Sequence, residues 1–492
     1  MSSADSSGVG ARRVFAGSSG AGSELARNVH TSSPSLFDRT HRLPTAGLLM
    51  LVTFVAFESM AVATAMPTAV AELHGLAWYG WPFSAFLVAS VVGMVVGGDA
   101  GDRSGPRTAL LGGVAGFAVG LLAAGTAGSM ALFVAARAVQ GVGAGIIAVS
   151  LYVVAGQAYE AELRPRLFGA ISAAWVLPAL VGPLVAGLVT AHLSWRLVFL
   201  GLLPLIAVGL VLVLPAMRRL AVPEGDQAPV RGRRWWAALA GLGIGALQYA
   251  GQRLDLAAVG IALLGLVALA VGLRPLLPPG VVRGRRGLPA VVATRGLLAG
   301  SFFGVDALLP LALSRLHGYS PAAAGVPLTA GALGWAVASQ LQGRRPGASR
   351  VRLLRVGFLL LAAGLAATAW IAVPGMGGWP AYLSWAVAGL GMGLGMPSVG
   401  VLLLDQSPEH RRGADSAAFQ IADVTGSAVC VGLVGVLVAA TAGGLLPLRA
   451  AVLVAVGVLT VLAGLGAVLA PRAGAPAAAP GASVPATTLT TS

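Results

Sequence analysis

The chain has one cysteine, Cys430, and no lysine, and charged residues make up only 10% of its 492 positions. A lone cysteine excludes a disulfide framework and any cysteine-rich metal site; within an apolar run it reads as a packing residue. The six histidines are scattered, with no pair at helical metal-ligand spacing. Glycine runs such as GLGMGLG, 389 to 395, lack the strand-turn-helix setting and the Lys-Ser/Thr of a phosphate-binding loop, so they point to close helix packing. No hydrophilic block is long enough for a separate soluble catalytic domain, and no clustered nucleophile and base is visible, so an enzyme is not expected. Residues 1 to 43, rich in Ser, Gly and Arg, have no apolar core of a secretory signal peptide, and the first apolar run is expected to act as an uncleaved insertion signal.

What the chain does have is apolar length. Hydrophobic residues are 57% of the sequence and mean hydropathy is +0.85, the composition of a polytopic membrane protein. A helix needs roughly 20 apolar residues to cross a ~30 Å hydrocarbon core. Runs separated by Arg, Pro or Gly give six spans at 44–67, 78–98, 108–128, 131–155, 167–190 and 196–216. Two shorter ones follow at 235–251 and 254–274, then six at 290–315, 321–343, 352–373, 380–404, 415–440 and 446–470. The expected fold is all-α, with two six-helix bundles, 44–216 and 281–470, joined by a linker, 217–280, that carries two additional helices, about fourteen spans in all. The tails 1–43 and 471–492 read as disordered and cytoplasmic.

The formal charge of +15 would suggest nucleic acid in a soluble protein. Here the arginines sit between spans: Arg103 and Arg107, Arg164 and Arg166, Arg218 to Arg234, Arg283 to Arg286, Arg344 to Arg355, and Arg411 and Arg412 all fall on one side of an even-numbered topology. That asymmetry predicts a multi-pass protein of the plasma (cell inner) membrane with both termini cytoplasmic, lipid-facing arginines and no nucleic-acid partner.

Two stretches repeat. RAVQGVGAG at 137–145 and WAVAGLGMG at 385–393 share Ala, Val and three alternating glycines, 248 residues apart, on the fourth helix of each bundle. The second copy has Trp385 and Ala388 where the first has Arg137 and Gln140, so on this reading the polar chemistry sits in one half only.

The segment GDAGDRSGPR, Gly98 to Arg107, joins the second and third spans and must turn tightly. Its glycines permit close approach and unusual backbone angles, and Asp102 can accept from helix N-terminal amides. This segment resembles the signature of the major facilitator superfamily: Gly98, Asp102, Arg103, Gly105 and Arg107 match, while Ala100 and Pro106 depart from it. RAVQG, Arg137 to Gly141, resembles the family's fourth-helix motif. PALVGPLVAG resembles the fifth-helix motif of its exporters, with Gly182, Pro183 and Gly187 matching and Pro178 and Ala186 where Gly is typical. In the first span, Glu58, Ser59, Met60 and then Ala65, Met66 and Pro67 resemble the frame of the fourteen-helix drug:proton antiporter branch, with Glu in place of Asp. The resemblance implies alternating access, a switch loop at 98–107 that stabilises one access state, and a proton-coupling role for Arg137.

Glu58 also stands on its own chemistry. It lies 12 residues beyond Ala46, about 18 Å along a helix and close to the bilayer midplane. An acid there costs ~2.5 to 3.5 kcal/mol on insertion scales, so the default reading is function, with a structural ion pair as the alternative. Arg137 is its expected partner, or else snorkels to the interface. In the second half Asp306, in GSFFGVDALLP, has glycines before it and Pro310 after it, as in interrupted helices that line transporter cavities; the alternative is a pair with Arg315. Asp423 is either a cavity residue or a local partner of Gln420 or Thr425. Together these predict a monomeric secondary transporter that exchanges protons for amphipathic or cationic organic compounds, driven by the proton gradient with no cofactor or metal. Import or lipid movement by the same fold, and a non-transporting receptor or scaffold, are the alternatives.

Overall fold

The computed structural model describes residues 35–74, 81–217, 232–250, 256–319, 321–345, 347–442 and 444–474. Most of both expected tails, 1–34 and 475–492, and the arginine-rich segment 218–231 lie outside the described residues. Among the described residues every regular element is helical, as a lipid-embedded backbone requires, since helices satisfy their own amides.

In chain order the longer helices are α1 (Arg42–Glu72), α2 (Trp81–Gly125), α3 (Met130–Ala158), α4 (Arg164–Ala173), α5 (Val176–His192), α6 (Arg196–Leu200), α7 (Leu202–Met217), α8 (Arg233–Ala250), α9 (Leu256–Leu273), α10 (Leu288–His317), α11 (Pro321–Gly343), α12 (Arg350–Thr368), α13 (Pro380–Gln406), α14 (Arg412–Ala442) and α15 (Leu448–Leu469). Each expected span is mostly helical in its described part. Among the described residues nine helices are long and apolar enough to cross a membrane. The chain is a multi-pass membrane protein.

Several expected boundaries move. Residues 35–41, placed in the disordered tail, form a turn: Thr45 Oγ1 donates to the Leu36 carbonyl at 3.0 Å and shares a 3.0 Å bond with the Tyr159 hydroxyl. The first helix, expected to end at Pro67, runs on to Glu72, which takes the Trp195 indole N–H at 2.7 Å and the Arg196 guanidinium. The loop expected over 98–107 is helical except at Gly105, whose φ of 79° and ψ of 161° break α2. The chain reverses there. A Cβ on Gly97 would meet the Ile146 backbone at 2.8 Å and one on Gly113 would meet the Ile146 side chain at 2.8 Å, so positions eight residues to either side of Gly105 lie against one level of α3. Gly105 supplies the left-handed angle and Pro106 starts the returning leg, where a missing N–H costs nothing. The fifth expected span is divided at Trp175 into α4 and α5.

The repeated glycines explain how each half packs. Gly141 and Gly145 lie against Phe86 and Ser90 on the first leg of α2, and Gly143 against Phe117 on the second leg. At the same offset, Gly389 and Gly393 lie against Gly331 and Trp335 on α11, and Gly391 against Gly357 and Leu361 on α12. The alternating glycines therefore let one helix approach two neighbours closely, once in each half.

Each half has its own buried core, one built around Phe117, Phe133, Trp195 and Phe199, the other around Phe358, Trp385, Phe419 and Leu459. A third cluster joins α2, α8, α9 and α14 through Val91, Met94, Ile244, Leu269, Ala417 and Ile421. The linker helix α8 thus packs on both halves, and α9 packs on α8.

Candidate functional site

Glu58 on α1 and Arg137 on α3 meet as an ion pair, with side chains 0% and 3% exposed. Arg137 Nη1 donates to both Glu58 Oε1 and Gln140 Oε1, and the guanidinium lies over the Phe86 ring at 4.4 Å. Among the described residues Glu58 Oε2, Arg137 Nε and Gln140 Nε2 have no hydrogen-bond partner. One carboxylate oxygen is therefore committed to the cation and the other is not. The helix bearing the fifth-span motif lies against this segment of α1: a Cβ on Gly182 would contact Met60 at 3.5 Å, and one on Gly187 would contact Thr64 at 3.7 Å. Pro178 is buried in the same helix, α5, which also carries Pro183.

Asp306 stands 248 residues after Glu58, the interval that separates Trp385 from Arg137. Among the described residues it makes no ion pair with Arg315; Trp385 lies beside it without a hydrogen bond from its indole N–H, so the acid of the second half borders an indole where the acid of the first half pairs with a guanidinium. Trp385 stacks on Phe302 at 4.9 Å, and Phe302 meets Trp335 edge-on at 5.6 Å, so the half-buried carboxylate borders an aromatic cluster.

The expectation that polar chemistry is confined to one half is corrected by Arg295, which the sequence reading passed over. Arg295 Nε lies 2.7 Å from Asp423 Oδ1, so Asp423 pairs with a cation on α10 rather than with Gln420 or Thr425. Arg295 Nη1 contacts the Met396 sulfur at 2.7 Å, the guanidinium covers the Phe419 ring at 4.7 Å, and Tyr152 of α3 meets the same ring from the other half. Tyr152 stacks on Phe168 at 5.2 Å and meets Phe419 at 5.3 Å. The signal was in the sequence: an arginine inside the apolar run 290–315 merits the same scrutiny as Arg137.

The two halves also meet at the end bearing the arginine-rich loops. Asp102 on α2, only 8% exposed, accepts from Gly413 N at 2.7 Å and from Ala414 N at 2.8 Å, and so caps the first turn of α14 in the other half. Gly98 is close-packed there, since a Cβ would meet the Gly413 carbonyl at 2.7 Å. Arg103 pairs with Asp99 at 3.6 Å, and Arg233 of α8 reaches the same carboxylate at 3.1 Å. Arg107 is exposed. On the opposite flank a Cβ on Gly169 of α4 would meet the Ser339 carbonyl of α11 at 2.7 Å. These contacts close the basic end around the seam between the halves.

Among the described residues no three His, Cys, Asp or Glu side chains are grouped to hold a metal.

The model of the Major Facilitator Superfamily matches residues 48–429. An uncharacterized MFS-type transporter of Mycobacterium tuberculosis (strain ATCC 25618 / H37Rv) is 32% identical over 195 residues, 40% of this chain and 28% of that protein. The chain thus matches less than a third of that relative's length. The tetracenomycin C resistance and export protein of Streptomyces glaucescens is 30% identical over 427 residues, 80% of this chain and 76% of that protein. Among solved structures, the human organic anion transporter MFSD10 aligns over 87% of this chain and 99% of its own, with a TM-score of 0.63 and 15% identity, a likeness of fold.

Proposed function

The chain belongs to the major facilitator superfamily, and from that premise we propose that it exports amphipathic or cationic organic compounds in exchange for protons by alternating access. The observation that carries the reading is the buried Glu58–Arg137 pair, with Glu58 Oε2 left without a hydrogen-bond partner among the described residues. Oε2 is the oxygen that takes the proton. Protonation removes the attraction to Arg137, whose guanidinium keeps Gln140 Oε1 and the Phe86 face as neighbours, and binding is thereby tied to conformation.

Asp306 is the second acid of the cycle. With no guanidinium beside it among the described residues and next to an aromatic cluster, it suits a carrier of a proton or of a cationic group held by charge and ring faces. The Arg295–Asp423–Tyr152 cluster joins the halves and, with Asp102 and its α14 amides, holds the seam closed at the basic end. The export relative from Streptomyces glaucescens supports the outward direction. The reading places the basic end and both termini in the cytoplasm, the chain in the plasma membrane as a monomer, and the energy source in the proton gradient alone.

The test is uptake of a fluorescent amphipathic cation into everted membrane vesicles. Accumulation that needs an acidic lumen and collapses with a protonophore supports exchange. Accumulation indifferent to the pH gradient, or substrate movement in the same direction as protons, refutes it.

A further inference from the structure

Alternating glycines occur a third time, in GLGIG of the linker helix α8, 241–245. A Cβ on Gly241 would meet the Val88 carbonyl at 2.8 Å and one on Gly245 the Val88 side chain at 3.1 Å, both on the first leg of α2. Gly243, between them, turns to α9, where a Cβ would meet the Gly265 carbonyl at 2.7 Å. At the start of α8, Arg233 pairs with Asp99 of α2 at 3.1 Å. The backbone of α8 is therefore in close contact with α2 and α9, and charge ties it to α2 as well.

Toward α14 the contact is of another kind. Ala237, Ala240 and Ile244 share a buried cluster with Ala417, Ile421 and Ala428, and a Cβ on Gly432 would stand 3.9 Å from the Leu247 carbonyl, ordinary van der Waals contact. All three glycines of α8 are committed to α2 and α9. At the basic end a cavity of about 520 Å³ opens between the two sides, lined by Arg411 and Asp415 from α14 and its approach and by Asp99, Asp102, Arg233 and Arg274 opposite.

We propose that the α8–α9 hairpin belongs mechanically to the first half and slides over α14, a cover that stays on the α2–α14 seam when the basic end opens. Backbones packed through glycine part only by losing many contacts at once, whereas small side chains on α14 exchange neighbours with little loss, and across a cavity there is no packed contact to break. The seam needs a cover because it holds Asp102, Asp415 and Ser416, only 8%, 2% and 0% exposed, polar groups that hydrocarbon would leave unsatisfied. At 18 residues α8 is about 27 Å long, close to the ~30 Å depth of the hydrocarbon core, so it screens the seam through most of the bilayer. The opposite flank, α4 and α5 against α11, has no third helix over it among the described residues. A compound dissolved in the bilayer therefore reaches the opening cavity from that flank, a consequence that rests on the alternating-access reading.

The experiment uses the full chain in nanodiscs, in a Cys430→Ser background, with spin labels at Trp235 of α8, 80% exposed, paired with Ser104 of α2 or with His410, just before α14. The basic end is opened by Asp102→Ala, which removes the cap on α14, or by Gly169→Leu, which overfills the contact of α4 with α11. The Trp235–Ser104 distance is expected to stay single throughout, while Trp235–His410 gains in both variants a population longer by about 5 Å, the size of a one-turn shift. Single cysteines in the same backgrounds report the cover. Met94→Cys, in the cluster beneath α8, is expected to stay unreactive to a pyrene maleimide dissolved in the bilayer, and Ser339→Cys, on the uncovered flank, to react roughly tenfold faster in the variants than in wild type. The proposal is overturned if the Trp235–Ser104 distance lengthens, since the hairpin would then leave α2. It is overturned too if Trp235–His410 stays fixed in both variants, since nothing would slide, or if Met94→Cys reacts as fast as Ser339→Cys. A Trp235–His410 distance that lengthens in a chain without gradient-driven exchange would leave the cover standing and remove the transport reading.

Discussion

Asp102→Ala is expected to open the basic end. In the closed structure this carboxylate receives two backbone amides, Gly413 N at 2.7 Å and Ala414 N at 2.8 Å, from a helix in the opposite half. Hydrogen bonds to a charged group contribute about 1.5–3 kcal/mol each. In the open state water satisfies both amides and the carboxylate, so the difference between the states is smaller than the sum and nearer that of a strong N-cap, about 2–3 kcal/mol. That corresponds to a shift of about 30- to 160-fold in the ratio of closed to open. Asp102→Asn keeps one acceptor and loses the charge, so an intermediate shift is expected. The assay is a distance distribution between spin labels at Ser104 and His410, exposed positions on opposite halves, in a Cys430→Ser background. Wild type should give one dominant short distance, and Asp102→Ala a second, longer population. An unchanged distribution in Asp102→Ala would refute the view that this cap biases the conformational equilibrium.

Gly169→Leu should open the same label pair by steric means, because any Cβ there meets the Ser339 carbonyl at 2.7 Å and overpacking costs about 1–3 kcal/mol; a closed distribution identical to wild type would count against close packing of α4 on α11. Arg295→Gln and Asp423→Asn each leave a buried charge without its partner and should cost about 3–5 kcal/mol, whereas the double variant should cost less than the sum; additive losses in denaturant unfolding would mean that the two do not interact. The turn at 35–41 should depend on pH through Asp38, whose carboxyl is held below its ordinary value by the His41 side chain and by the His41 and Thr40 amides. Because the folded value is the depressed one, this contribution is fully present above the ordinary carboxylate value of about 4 and is lost as pH falls through the folded value. Hydrogen exchange at Thr40 and His41 should therefore rise as pH falls below about 4, after allowance for intrinsic rates, with Asp38→Asn exchanging faster at neutral pH.

Helix was legible in the sequence wherever an apolar run reached spanning length, because in hydrocarbon nothing else satisfies the backbone. Boundaries were less so. Proline in α1 did not end the helix at Pro67, and the loop read over 98–107 contracted to Gly105 and Pro106, since a helix can run on into an interfacial turn until a residue with positive φ reverses it. The Glu58–Arg137 contact followed from asking what an acid at midplane pairs with. The Arg295–Asp423 pair did not emerge, because Arg295 lies near the start of its run and Asp423 had polar neighbours in sequence, Gln420 and Thr425, that proved not to be its partner. The cap of α14 by Asp102 joins residues 311 positions apart; the sequence offered an acid suited to a helix N-terminus but not which helix it would meet. The 248-residue interval was visible between glycines, yet that it also relates Glu58 to Asp306 gained meaning only when Trp385 was found beside Asp306.

The most direct test of the central claim is substrate exchange by the reconstituted full chain under an imposed pH gradient, comparing wild type with Glu58→Gln and Asp306→Asn. The gradient is expected to accelerate wild-type exchange and Glu58→Gln to abolish this acceleration while substrate binding persists, with Asp306→Asn impaired in coupling, in binding of cationic substrates, or in both. Full gradient-driven exchange in both variants would contradict that claim.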